Sequence, residues 1–207
     1  IKKRRQNIQY FTQEESLRLR DILENGAAEL TKRDLAIGML LYFTGLRAGD
    51  ISDLQLSDIN WQAEIICRKQ SKTGLLVELP MSVGVGNALF EYITEERPDK
   101  PDPHVFLWNK PPYMPIDAAV IWPVTAHIYK AAGIRQNAGD RRGSHLFRHH
   151  VATYLAMKGF SQPIISEILG HEAQESLNHY LSSDIEHLRT CALSVEEFPV
   201  AEEVFRV

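Results

Sequence analysis

The chain has 207 residues, 44% of them hydrophobic and 24% charged, which is the make-up of an ordinary globular protein with one sizeable domain or two small ones. No stretch approaches the ~18 apolar residues that a membrane span needs, and the basic start, Ile1–Gln6, has no apolar segment behind it as a secretory signal has. The net charge of −4 speaks against a nucleic-acid partner, because phosphate contacts draw on an excess of base. Its distribution removes that objection. Residues 1–180 hold 21 basic and 21 acidic side chains, and the whole surplus of acid lies in residues 181–207. Cys67 and Cys191 form no metal-binding spacing and suit a reducing compartment.

Taken in chain order, Thr12-Gln-Glu-Glu15 is a capping box that predicts a helix through about Glu24. Residues 32–43 are apolar almost all round, as in a central buried helix, and stop at Thr44-Gly45, where glycine can cap the C-terminus. A short polar helical turn follows. The period then changes, with β-prone runs at Glu64–Arg68 and Leu75–Leu79 around a Gly74-bearing turn, and a third short strand at Ile59–Trp61. Residues 84–96 return to helix. Six of the ten prolines fall in 97–115, which predicts an irregular surface loop. Helix resumes at about 117–132, followed by the polar, basic loop Arg135–Gly143. Ser144 and Ser161 are expected to cap helices ending at Gly159 and Gly170, with Pro163 tolerated in the first turn of the second. Two more helices are predicted at about 173–180 and 184–193. The fold class is α+β, mainly α, with a small antiparallel sheet.

The strongest chemical signal is His145-Leu-Phe-Arg148-His149-His150 at a helix start. His145 and Arg148 share a helix face, and the free N–H groups of the first turn favour an anion. The plain alternative is a solvated polar helix end. Arg47 follows the apolar helix directly; taken alone, it is better read as paired with Asp50, Asp53 or Asp58. Lys72 sits at the predicted hairpin tip, where lysine commonly serves solubility. His171 follows Gly170, and Tyr180 comes nine residues later. Zinc is a rival use for His145 and His149, but there is no HExxH or CxxC, and Arg148 between them repels a cation. No G-x-S-x-G elbow and no phosphate-binding glycine loop is present.

Read together and in order, Thr44-Gly-Leu-Arg47-Ala-Gly-Asp50, Lys72-Thr-Gly, His145-x-x-Arg148-His149, Leu169-Gly-His171 and Tyr180 resemble the catalytic domain of the tyrosine recombinases, the phage integrase family. The likeness extends from about Thr12 to about His187. It implies that family's catalytic-domain fold, a helical domain with a small three-stranded antiparallel sheet. It also implies a site-specific recombinase that cuts and rejoins DNA through a 3′-phosphotyrosine, without metal, cofactor or ATP. Tyr180 becomes the nucleophile, Arg47 and Arg148 the phosphate clamp, and Lys72 the proton donor to the 5′-oxygen. His145 becomes a general base or phosphate donor and His171 a further donor. Asp50 and His149 take supporting places.

The resemblance further implies double-stranded DNA as partner, a homo-oligomer of up to four copies on it, no membrane, and a cytoplasmic setting. Residues 1–11 are expected to be a basic linker remnant whose Lys2, Lys3, Arg4 and Arg5 meet DNA, with the family's N-terminal helical domain lying outside this chain. Residues 12–193 make the catalytic domain. Residues 194–207, alternating apolar and acidic, suit docking on a neighbouring protomer, folding back or hanging free. Arg141 and Arg142 are expected on the DNA face. A chromosome-dimer resolvase, a type IB topoisomerase and a non-cleaving DNA-binding relative are the alternatives within reach of the same residues, and a metal-dependent nuclease is a fourth.

Overall fold

The computed structural model describes residues 10–170, and the expectations for residues 1–9 and 171–207, His171, Tyr180, the two last helices and the tail among them, lie outside that range. The first helix, α1 (Gln13–Asn25), begins at the expected capping box: the Glu15 amide donates to Thr12 Oγ1 and the Thr12 amide to Glu15 Oε2, at 3.2 and 2.9 Å. Helix α2 (Lys32–Thr44) is the centre of the molecule. Ala36, Ile37, Leu40 and Leu41 are fully buried, and the helix packs against the helices from both later thirds of the described chain. Its apolar surface on every side is the sequence cause of that position. Gly45 closes it in the left-handed region (φ 65°), its amide bonding Leu41 O, and the chain turns into the short α3 (Ala48–Ser52), with Arg47 at the junction.

A 3₁₀ turn at Leu56–Asp58 leads to the three-stranded antiparallel sheet: β1 (Ile59–Asn60), β2 (Ile65–Lys69) and β3 (Leu76–Pro80), in that spatial order. Ile66 opposes Leu79 and Arg68 opposes Val77. Ile66, Val77 and Leu79 are buried while Leu76 and Glu78 are exposed, the alternation of a sheet wet on one face. Both long strands start one residue later than expected. Glu64 has φ 54°, outside extended backbone, so it belongs to the preceding turn.

Helix α4 (Val83–Glu91) continues into a π-helical turn at Tyr92–Glu96, so the predicted helix over 84–96 is one body with a change of winding. The proline-rich stretch is irregular but anchored. Arg97 donates to the carbonyls of Asp102, His104 and Val105, Val105 donates to Leu54 O, and Phe106 is buried and stacked on Tyr92 at 5.2 Å. Helix α5 (Ala118–Ala131) precedes the basic loop, then come α6 (His145–Met157) and α7 (Gln162–Leu169). Ser144 corrects one expectation. Its backbone is already helical (φ −63°, ψ −25°), so its hydroxyl makes no cap, and the turn closes by Leu146 N–H to Gly143 O and Phe147 N–H to Ser144 O. Ser161 has the extended backbone of an N-cap but likewise makes no side-chain cap bond, with Pro163 in the first turn as expected.

Candidate active site

Three segments far apart in sequence meet at the C-terminal end of α7. Arg148, three residues into α6, is buried at 4% exposure; its Nη1 donates to Gly45 O at 2.9 Å and its Nη2 to Leu169 O. Arg47, at the α2–α3 junction, donates from Nη2 to Gly170 O at 3.0 Å and from Nη1 to Gln70 Oε1. Helix C-termini leave carbonyls without intrahelical partners and carry partial negative charge. The two guanidiniums therefore sit where the α7 end and the α2 cap offer acceptors. Arg148 can be buried because its donors meet carbonyls rather than apolar surface.

Asp50 is buried at 1% exposure, in the first turn of α3. Its Oδ1 accepts from the Ser71 amide at 2.8 Å, which fixes the start of the β2–β3 turn. Its Oδ2 lies 3.9 Å from Arg47 Nη1 and has no hydrogen-bond partner among the described residues. The plain pairing expected for Arg47 is thus half right. Asp58 and Asp53 are taken by Arg68 at 3.1 and 3.7 Å, which leaves Asp50 as the carboxylate nearest Arg47.

Lys72 stands on the turn next to Ser71, exposed, on the hairpin that Asp50 ties down. His145 is exposed in the first turn of α6, one helical step before Arg148. His149 is half-buried between Arg148 and His150. The structure brings Arg47, Arg148 and Asp50 into one network and holds the Lys72 turn at its edge. Arg141 and Arg142 are exposed on the α5–α6 loop, and among the described residues no contact joins them to that network: Arg142 bonds Asn137 O at 3.3 Å within its own loop. Lys2, Lys3, Arg4, Arg5, His171 and Tyr180 lie outside the described residues, His171 being the residue directly after Gly170. Among the described residues no three His, Cys, Asp or Glu side chains gather as metal ligands, so the zinc reading of His145 and His149 gains no third ligand there.

Three participants escape a sequence reading. Gln70, buried at 2% exposure, bridges Arg47 and Leu169 O. A single glutamine at the end of a strand carries no motif, and only its place two residues before Lys72 marks it. Arg135 looks like one more base of a basic loop, yet it is structural: its guanidinium pairs with both Glu15 oxygens at 2.9 Å and bonds Tyr10 O, fastening the start of α1 to the α5–α6 loop. His150 turns away from the arginines into an aromatic nest of Phe11, Tyr42 and Tyr154, with ring centroids 5.5, 4.8 and 6.4 Å away. Burial there pushes its pKa from 6.5 down to about 4, so it is neutral at pH 7.

The family model described as "Phage integrase family" matches residues 9–187. The protein y4gC of Sinorhizobium fredii, an integrase/recombinase by name, is 35% identical over 163 residues, 79% of this chain and 83% of its own length. Tyrosine recombinase XerA of Pyrococcus furiosus is 27% identical over 161 residues, 76% of this chain and 52% of that protein. Among solved structures, the XerH site-specific recombinase bound to palindromic difH substrate superposes with a TM-score of 0.73 at 21% identity, over 90% of this chain and 53% of that one. The chain therefore spans most of y4gC but about half of XerA and XerH. The shared fold, mainly helical with a small antiparallel sheet, is the one the sequence resemblance implies.

Proposed function

The chain belongs to the phage integrase family, the tyrosine recombinases, and from that premise we propose that it performs the strand cutting and rejoining of a site-specific DNA recombinase, an integrase of a mobile element. The reading is carried by one observation: Arg47 and Arg148 converge on the carbonyls of Leu169 and Gly170, directly ahead of His171. Two guanidiniums fixed side by side can each present a fork of N–H donors to the non-bridging oxygens of one phosphodiester. That supplies, without a divalent ion, the charge stabilisation that the pentavalent transition state requires.

In this reading Tyr180 attacks phosphorus, the bond to the 5′-oxygen breaks, and Lys72 gives that oxygen its proton. A phenol with an ordinary pKa near ~10 must shed its proton to act, and His145 takes it or bonds the phosphate while His171 donates to a phosphate oxygen. The bond energy stays in the 3′-phosphotyrosine, and a second 5′-hydroxyl reverses the step onto a new strand. Asp50 holds the Lys72 turn and faces Arg47, and His149 takes a supporting place next to Arg148 in the chain.

The partner we assign is double-stranded DNA, with a homo-oligomer of up to four copies assembled on it in the cytoplasm. No helix among the described residues is long and apolar enough to cross a membrane. Residues 12–193 make up the catalytic domain in this reading. Lys2, Lys3, Arg4 and Arg5 of the 1–11 linker, with Arg141 and Arg142, meet phosphates in the same reading.

The test is covalent trapping on nicked duplexes drawn from the DNA that flanks the gene. The native protein is expected to leave a protein–DNA adduct that resists EDTA, and Tyr180→Phe none. Equal adduct from Tyr180→Phe refutes the nucleophile, cleavage without adduct that EDTA abolishes favours a metal-dependent nuclease, and specific binding with neither cleavage nor adduct favours a non-cleaving relative.

A further inference from the structure

On the recombinase reading, we propose that Gln70 is a positioning residue that fixes the Arg47 guanidinium against the end of α7. Its side chain is 2% exposed, at the last position before the β2–β3 turn. Its Nε2 donates to Leu169 O at 3.0 Å, and its Oε1 accepts from Arg47 Nη1 and from Thr73 Oγ1, the latter at 3.1 Å. The orientation of the amide is dictated by its neighbours. A carbonyl on one side demands the NH₂, and a guanidinium with a hydroxyl on the other demands the oxygen. The backbone of Gln70 is held as firmly, its amide bonding Leu75 O and its carbonyl accepting from Gly74, both at 2.8 Å. The amide is thus a rigid spacer between the sheet and α7, and Arg47 is aimed by it.

Leu169 O makes the argument specific. It accepts from both Gln70 Nε2 and Arg148 Nη2, while Arg47 reaches the next carbonyl, Gly170 O. One glutamine therefore sets Arg47 and the acceptor of Arg148 in a common frame. Gly170 leaves room for it: the residue is in the left-handed region (φ 62°), and a side chain there would fall on the Gln70 amide. A guanidinium displaced by about 1 Å from the phosphate loses roughly 10²-fold in rate with little loss of binding.

The experiment is single-turnover cleavage of the same nicked duplexes by the full-length protein carrying Gln70→Leu, which keeps side-chain bulk and removes both hydrogen-bonding functions. We expect the cleavage rate constant to fall roughly 10–100-fold, with DNA affinity within about threefold of native. A merely structural role lowers the fraction of active protein and leaves the rate constant of the remainder intact, and that result overturns the assignment. Gln70→Glu keeps the acceptor toward Arg47 and Thr73 but turns a second oxygen on Leu169 O, and its rate is expected to stay below native; a native rate overturns the claim that the bond to Leu169 O helps aim Arg47. A duplex with sulfur in place of the 5′-bridging oxygen has a leaving group that needs no proton, so it relieves Lys72→Ala. We expect it not to relieve Gln70→Leu, and relief there overturns the assignment to Arg47. Absence of adduct from the native protein defeats the recombinase reading itself, whereas native adduct with an unchanged Gln70→Leu rate defeats this inference alone.

Discussion

Two faces of helix α6 carry the same kinds of residue into opposite surroundings. On one, Arg148 is buried, with Nη1 donating to Gly45 O and Nη2 to Leu169 O. On the other, His150, two residues on, lies against three aromatic rings and loses its charge. A guanidinium cannot shed its proton at any ordinary pH, so burying it requires acceptors; an imidazole can, so burial simply neutralises it. What separates the faces is the end of α7, which offers carbonyls to one of them and none to the other.

The largest expected effect breaks the polar face. Arg148→Leu removes a phosphate ligand on the recombinase reading and leaves Gly45 O without its donor. Cleavage of a nicked duplex is expected to fall by about 10³-fold or more, and urea denaturation to report about 1–3 kcal/mol of lost stability. Native-like cleavage by Arg148→Leu would remove this guanidinium from the chemistry.

The second prediction addresses the apolar face. His150 has a folded-state pKa of about 4 against 6.5 in the unfolded chain, because burial penalises the cation. Between those values the unfolded chain binds the extra proton, so stability is full above about pH 6.5, falls as pH drops through the window, and levels off below about 4. The whole loss is at most about 3 kcal/mol. Urea titrations at pH 7.5 and pH 5 should show it in the native protein, and His150→Phe, which keeps the ring stack, should abolish most of that difference. An unchanged pH dependence in His150→Phe would assign the acid sensitivity elsewhere.

The contrast also explains what the sequence could and could not disclose. The capping box at Thr12, the apolar run of α2 and the Gly45 stop are local signals, and each holds in the structure because the backbone needs of a helix end are met within a few residues. The strand pair was legible from its period, with ends displaced by one residue where Glu64 adopts a positive φ. Ser144 misled because its cap would have to be made by a residue whose backbone is already helical. For the site, Arg47, Asp50 and Arg148 were legible by their order, but their mutual geometry was not, since it is set by two carbonyls of α7 that carry no side-chain identity. Gln70 and Arg135 were invisible for the same reason. Their roles come from partners distant in the chain, Leu169 for one and Glu15 for the other.

The smallest expected effect tests the carbonyl platform itself. Gly159 and Gly170 end α6 and α7, both with positive φ, 83° and 62°. Alanine at either pays the left-handed penalty, roughly 1–2 kcal/mol. At Gly159 a Cβ meets nothing within 4 Å, so Gly159→Ala reports the backbone term alone. At Gly170 the same Cβ falls on the amide of Gln70, whose flexible end must shift and whose bonds to Leu169 O and Arg47 shift with it. Gly170→Ala should therefore be the more destabilising of the two in urea denaturation, by about 1 kcal/mol. On the recombinase reading it should also slow cleavage, which Gly159→Ala leaves near native. Equal stability losses with equal cleavage would mean that the end of α7 tolerates a displaced Gln70, and that the arginines are held by something other than the frame it shares with Leu169.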